Sequence, residues 1–169
     1  MIRVGHGQDS HRFGDGPPDG SPHGRPLVVG GIAVDSDRGL VAHSDGDVLL
    51  HALVDALLGA TGRGDIGDRF PDTDTAYDGV TSDTFVTAVL ADVRADGWEI
   101  ANIDATVSLQ RPKLGPHKRV IADNVARLVG IDPRRVNVKA KTGEKVGPVG
   151  RGECLTADVV LLLEKSNTP

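Results

Sequence analysis

Asp47, His51 and Asp55 lie four residues apart in a stretch that is otherwise apolar: Val48, Leu49, Leu50, Leu53, Val54, Leu57 and Leu58. At 3.6 residues per turn, that spacing sets all three on one face of a helix. A helix buried on most sides has little reason to line two carboxylates and an imidazole along one edge unless they bind something. A narrow wet face on an amphipathic helix would give the same pattern. Earlier in the chain, Asp9 and His11 flank Ser10. Side chains two apart on an extended segment point the same way, so both can reach one ion. With one further imidazole they make a mixed nitrogen and oxygen donor set, as in catalytic zinc sites that keep a fourth position open. Of the 6 histidines, five fall in the first third of the chain, His6, His11, His43 and His51 among them. An Asp-x-His pair alone is more often structural. Joined by His51, it becomes a candidate metal centre.

Two further segments carry groups suited to phosphate. His43 and Ser44 stand at the mouth of the helix predicted from the apolar run, where backbone N–H groups favour an anion. Helix capping alone would account for Ser44, Asp45 and Asp47, but it leaves His43 unexplained. The stretch Lys139 to Lys145 mixes cations, the Thr142 hydroxyl and the Glu144 carboxylate. Hydroxyl and lysine can hold phosphate oxygens, and Glu144 could hold a Mg²⁺ ion bridging two phosphates. An ordinary polar loop is the competing reading there.

The elements that must position these groups can be read from pattern. Ile2 to Gln8 predicts a first strand running into Asp9-Ser10-His11, followed by loop chemistry from Gly14 to Arg25. Pro26 to Val34 predicts a second strand with a Gly-Gly bend. A first helix is predicted from Asp45 to about Thr61, with Ser44 as N-cap and Asp47 three residues on. Gly62 to Thr81 reads as a long loop of the kind that is often functional. Ser82 to Asp96 shows helical spacing, and Glu99 to Leu109 alternates with Ile103, Ala105, Val107 and Leu109 on one side. Pro116 to Val129 predicts a third helix closed by Gly130, Val136 to Ala140 another strand, and Thr156 to Glu164 a buried last one. Helices between strands without a strict βαβ repeat point to an α+β (α/β layered) fold. The expectation is one domain over residues 1–169, a mixed β-sheet with helices packed on one face.

Composition narrows the class. At 169 residues, 38% hydrophobic and 25% charged, the chain can close one ordinary globular core. Aromatic residues are 3%, so that core must rest on Val, Leu, Ile and Ala. A formal net charge of −5 argues against nucleic acid as partner, the basic residues being scattered apart from Arg111, Lys113, Lys118 and Arg119. The lone Cys154 permits no internal disulfide and suits a reducing compartment. The first residues, Met1 to His6, show no apolar signal region, and no apolar run reaches membrane-spanning length. The expectation is therefore a cytoplasmic protein with no membrane partner.

Taken together, the motifs resemble the cyclodiphosphate synthase family of the non-mevalonate isoprenoid route. They are Gly5-His6-Gly7 with Asp9-x-His11, Ala42-His43-Ser44-Asp45-Gly46-Asp47, and His51-Ala52-Leu53-x-Asp55-Ala56-Leu57-Leu58-Gly59-Ala60. Gly64-Asp65-Ile66-Gly67, Phe70-Pro71-Asp72-Thr73-Asp74, Asn102-Ile103-Asp104 and Pro112-Lys113 follow in order. Val136 to Ala140 and Gly150-Arg151-Gly152-Glu153 complete the set. Each is weak alone; the ordered set, from residue 2 to about 165, is specific.

The resemblance implies a metal-dependent, CMP-releasing, cyclising phosphorus–oxygen lyase. Its substrate is a cytidine diphosphate ester of methylerythritol whose own 2-phosphate attacks the β-phosphorus. It further implies zinc, or another divalent metal, on Asp9, His11 and His51, with His43 and Thr142 stabilising the reacting phosphates. Ser44, Asp65, Ile66 and Gly67 would meet the methylerythritol part, with Phe70, Pro71, Asp72, Thr73 and Asp74 as a mobile cover. Pro112, Lys113, Lys141 and Glu144 would hold the cytidine diphosphate, with Mg²⁺ or Mn²⁺ on the diphosphate near Glu144. Arg151 would face a central axis and bind phosphate. The assembly implied is a homotrimer with active sites between subunits.

The chain departs from the family pattern at Lys141, Gly143, Gly115 and Pro148, and its loop Asp15 to Arg25 is longer than usual and expected on the surface. Two rival readings use the same donors. In a zinc-dependent phosphohydrolase of a nucleotide-linked substrate, metal-bound water would attack. In a small trimeric module, zinc would serve structure alone, although structural sites usually carry four protein ligands rich in cysteine.

Overall fold

The computed structural model describes residues 1–71 and 73–166. Strand β1 (Ile2–Arg12) opens the chain and pairs antiparallel with the last strand along an unbroken register, Ile2 opposite Glu164 through Arg12 opposite Cys154. That pairing carries β1 four residues past its expected end at Gln8. Residues 9–12 are polar and have no strand signature of their own; their extended form comes from backbone bonds to a distant partner. Alternation then turns Gly5, Gly7, Asp9 and His11 to one side of the sheet and Val4, His6, Gln8 and Ser10 to the other.

The predicted strand Pro26 to Val34 is instead a small hairpin, β2 (Val28–Val29) and β3 (Ile32–Ala33), bent at Gly30-Gly31. Both glycines take positive φ, 59° and 75°, which a hairpin turn of two residues demands. Strands β4 (Trp98–Ser108), β5 (Val136–Lys141) and β6 (Cys154–Lys165) complete a sheet of order β1-β6-β4-β5. Only β4 and β5 run parallel, joined across a helix, so the sheet is mixed as expected. A register shift between Ile100 and Asn102 resets the alternation, after which Ile103, Ala105 and Val107 face the core.

The helices α1 (Val48–Thr61), α3 (Ser82–Ala95) and α4 (Lys118–Val129) lie on one face of the sheet: α1 against β1 and β6, α4 against β5, and α3 between them. Short helices α2 (Ile66–Arg69) and α5 (Gly147–Gly150) sit in the connections. One core results, with Leu155, Ala157, Val159, Leu161 and Leu163 of β6 fully buried beneath Leu49, Leu53 and Leu57 of α1. Each such buried aliphatic side chain contributes about 1.5–3 kcal/mol.

Helix α1 begins three residues later than predicted. Its N-cap is Asp47, whose Oδ1 accepts the N–H groups of Leu49 and Leu50 at 3.1 and 3.0 Å, and not Ser44. The stretch Gly62 to Thr81 is also less open than a bare loop, for it contains α2 and a single 3₁₀ turn at Thr75–Tyr77.

The contact of α1 with β1 is close enough to be made by backbone alone. A Cβ at Gly5 would overlap the carbonyl of Ala56, and one at Gly7 the carbonyl of Ala52. This is the physical reason for Gly-His-Gly at the start of the chain. Absent side chains let the helix settle onto the strand, and the settling brings His51 to Asp9 and His11.

Candidate metal centre

Asp9 and His11 come from the inward side of β1, and His51 from the first turn of α1. Asp9 Oδ2 lies 3.1 Å from His11 Nε2 and 3.0 Å from His51 Nδ1, and the two ring nitrogens are 3.2 Å apart. Three donor atoms thus form a nearly equilateral triangle. Bonds of roughly 2.0–2.1 Å to a tetrahedral zinc would set its ligand atoms roughly 3.3 Å apart, so the triangle matches one face of such a coordination shell. The group is the one cluster of three acidic, histidine or cysteine donors that could hold a metal ion among the described residues. The donor chemistry fits a borderline divalent cation: two imidazoles and one carboxylate, with no thiolate.

Electrostatics agree with the geometry. Burial works to push the Asp9 carboxyl up, but the imidazoles of His11 and His51 outweigh it and hold the group well below the usual carboxylate range. Burial likewise works to lower His51, and the hydrogen bond it donates to the Asp9 carboxylate, with that group's charge, reverses it, leaving the imidazole above its ordinary value. A carboxylate kept ionised between two rings is a ready cation ligand.

The centre opens into a cavity of about 600 Å³. Its polar wall carries Asp9, His11, His43, Ser44 and His51; its apolar wall is made by Ile66, Gly67, Phe70, Pro71, Tyr77 and Phe85. Phe70 stacks on Phe85 at 4.6 Å between ring centroids, with Tyr77 edge-on to both. Three of the five aromatic residues thus gather here, where flat rigid faces shape a pocket, while Phe13 and Trp98 are buried elsewhere in a mainly aliphatic core.

The stripe predicted along α1 divides by task. Asp47 is fully buried and binds the N–H groups of Gly30 and Gly31 as well as those of Leu49 and Leu50. It pins the β2–β3 hairpin to the helix, a structural duty. Asp55 accepts the Ile66 N–H at 2.7 Å and so ties α1 to the segment forming the apolar wall; burial raises its carboxyl. Only His51 reaches the metal group. The expected anion site at the mouth of α1 is closed, because Asp47 already occupies the helix N–H groups.

Other residues singled out in the sequence fall in different places. Asp65 caps α2 through Asp68 N–H, and Asp74 caps the 3₁₀ turn through Ala76 N–H. These two and Thr73 are exposed and do not line the cavity, and Asp72 lies outside the described residues. Thr142 donates to Glu144 at 2.6 Å, with Glu144 and Lys145 both in the left-handed region at φ 49° and 63°. Within one chain, Pro112, Lys113, Lys141, Thr142, Glu144 and Arg151 are all absent from the cavity wall. Arg151 pairs with Glu153 at 2.6 Å beside a second cavity of about 310 Å³ that it shares with Arg38, Arg111 and Lys145.

The loop Asp15 to Arg25 is not a mere surface excursion: Pro22 and His23 form part of the cavity wall. Arg25 holds them there. Its guanidinium donates to the carbonyls of Gly20 and His43, both at 3.0 Å, and to Asp78 at 2.8 Å, while Ala42 N–H donates to the Pro22 carbonyl. Sequence reasoning also missed Tyr77, Phe85 and Ser82. The aromatic pair carried no motif, and Ser82, fully buried beside His51, read only as the start of a helix.

Residues 2–164 match the model of the YgbB family. The chain belongs to the YgbB family. This YgbB-family chain is 50% identical over 166 residues to the 2-C-methyl-D-erythritol 2,4-cyclodiphosphate synthase of Bordetella petrii, covering 98% of each. Its fold is similar to the bifunctional IspDF of Campylobacter jejuni, with a TM-score of 0.89 and 41% identity over 98% of this chain; it spans 42% of that longer protein. It is also similar to IspF of Plasmodium falciparum, solved as a CDP complex, with a TM-score of 0.83 and 30% identity, covering 98% of this chain and 97% of that one. Among the described residues of this YgbB-family member, no helix is long and apolar enough to cross a membrane.

Proposed function

We propose that the chain is a 2-C-methyl-D-erythritol 2,4-cyclodiphosphate synthase. It would convert 4-diphosphocytidyl-2-C-methyl-D-erythritol 2-phosphate into the cyclic diphosphate and CMP. The observation that carries the proposal is the Asp9, His11 and His51 triangle set in the wall of a cavity, in a chain whose relatives bear that activity. An oxygen of the substrate's 2-phosphate forms a bond to the β-phosphorus; the bond from that phosphorus to the bridging oxygen breaks, and the oxygen leaves with CMP. The nucleophile belongs to the substrate, so the protein's work is positioning and charge stabilisation.

In this reading Asp9, His11 and His51 hold a zinc ion, which when bound supplies positive charge beside the reacting phosphates. His43 and Ser44 face the same cavity, His43 toward the phosphates and Ser44 toward the polyol, with Ile66 and Gly67 shaping the polyol pocket. Asp65 would stiffen that segment, and Phe70 to Asp74 would cover it. Thr142, Lys141, Pro112, Lys113 and Glu144 would hold the cytidine diphosphate, Glu144 together with Mg²⁺ or Mn²⁺. Arg151 would bind phosphate at an axis.

The cytidine-binding groups would reach the cavity from a neighbour, and a homotrimer with active sites between subunits would supply that neighbour. Supporting it, the helix-free face of the sheet exposes Ile2 at 69%, Val4 at 64% and Val160 at 43%, with Val4 opposite Leu162. A contiguous apolar patch of this kind is a contact surface. A cytoplasmic setting, where a lone thiol stays reduced, suits Cys154.

The reaction run in ¹⁸O-labelled water tests the proposal. Unlabelled cyclic diphosphate with stoichiometric CMP is the expected product. Linear product carrying ¹⁸O would reject cyclisation in favour of metal-assisted hydrolysis.

A further inference from the structure

On the side of His51 turned away from the metal group, Nε2 lies 2.9 Å from Ser82 Oγ and 3.2 Å from Ser44 Oγ. Ser82 is fully buried at the first position of α3, and His51 is 9% exposed. The Ser82 hydroxyl also meets Asp45 Oδ1, while the Ser82 N–H donates to Asp45 Oδ2 at 3.0 Å. Asp45 therefore grips Ser82 by both backbone and side chain. Asp45 is oriented in turn by the Asp47 N–H at 3.2 Å and anchored through its own N–H to the Val80 carbonyl.

Proton bookkeeping fixes the direction of the chain. A carboxylate can only accept, so the single Ser82 hydroxyl proton points to Asp45. The Ser82 oxygen is then left as an acceptor toward Nε2, which must carry its proton there. A metal-bound imidazole is neutral and has one N–H; with that proton held at Nε2, Nδ1 would offer its lone pair to an ion at the point that Asp9 Oδ2 and His11 Nε2 share. Outer hydrogen bonds of this kind set the tautomer and ring orientation of a ligating histidine.

We propose that Ser82, aligned by Asp45, is a positioning residue that presents Nδ1 of His51 to the metal ion. The proposal rests on the metal-centre reading above. It assigns a duty to α3, an element that contributes no ligand, and to a serine no motif singled out.

The test titrates Zn²⁺, and separately Co²⁺, into metal-free full-length protein at a temperature where every variant is folded. Zinc affinity is read by chelator competition, site geometry by the visible Co²⁺ absorption, and fold by the metal-free melting curve. Ser82→Ala is expected to weaken zinc binding about 10–100-fold and to alter the Co²⁺ spectrum. Ser82→Thr, which keeps the hydroxyl, restores most of the affinity, and Asp45→Asn falls between. In His51→Ala the further change Ser82→Ala has no added effect, because the serine acts through that imidazole. Ser82→Ala that binds zinc as tightly as the parent with the same Co²⁺ spectrum overturns the proposal, even if it melts lower. Should the parent bind no zinc, or His51→Ala bind it undiminished, the metal-centre reading fails and takes this inference with it.

Discussion

His51 Nδ1 and Asp9 Oδ2 are 3.0 Å apart although 42 residues separate them in the chain. The contact spans the α1–β1 interface and needs both the extended end of β1 and the first turn of α1. Removing the charge at one end leaves an amide where a metal needs an anionic donor. Asp9→Asn is expected to lower bound zinc and turnover together, with the fold intact by circular dichroism. Full metal content with normal rates would remove Asp9 from the donor set.

The bare backbone at Gly7 makes that interface. In Gly7→Ala the new Cβ meets the Ala52 carbonyl, one residue from His51. The helix must lift or the strand bend, at a cost of about 3 kcal/mol or more. Urea unfolding should show that loss, and zinc affinity should fall in parallel because the triangle is opened. A variant of unchanged stability would mean that α1 is free to shift on β1.

Asp47 supports the same helix at its N-terminus. Its two oxygens hold four N–H groups from Gly30, Gly31, Leu49 and Leu50. Asp47→Ala strands these donors in a buried setting and removes the cap, for an expected loss of about 2–4 kcal/mol. Denaturation should report it, while the metal-bound fraction of folded protein stays near that of the parent. Loss below about 1 kcal/mol would show the donors finding other partners.

Lys113 is exposed and lies away from the cavity of its own chain. Its proposed partner is the substrate's cytidine diphosphate. Lys113→Ala should raise KM about 10-fold, the worth of one charge-assisted hydrogen bond, and leave zinc content alone. Unchanged KM would take Lys113 out of the substrate site.

Cys154 offers a check by pH. Burial, aided by Glu153, pushes its thiol above the ordinary value. A raised pKa leaves less thiolate at any given pH, so alkylation near pH 8 should run slower than that of a free cysteine thiol and gain speed on the alkaline side. Modification should leave bound zinc unchanged, since Cys154 is no ligand. Rapid alkylation at neutral pH would contradict the shift.

What the sequence determined by itself was local or ordered. Period-two and period-3.6 apolar spacing marked the strands and the two longer helices from Ser82 onward within a residue or two, though not the short α5, because burial of one face imposes that period whatever lies opposite. Asp-x-His on an extended segment and His51 on a helix named the three donors, because two-residue and four-residue spacing fix direction within an element. Where a partner sets the conformation, sequence fell short. β1 continues through polar Asp9 to Arg12 because β6 pairs with it. The cap of α1 moved from Ser44 to Asp47 because the β2–β3 hairpin offers two more N–H groups to the same carboxylate. The cavity wall at Pro22 and His23, the aromatic set around Phe85 and the Ser82–Asp45 support of His51 each join segments far apart in the chain. Such contacts exist only once the core has closed, since distant polar groups gain a fixed partner only when packing holds both ends still.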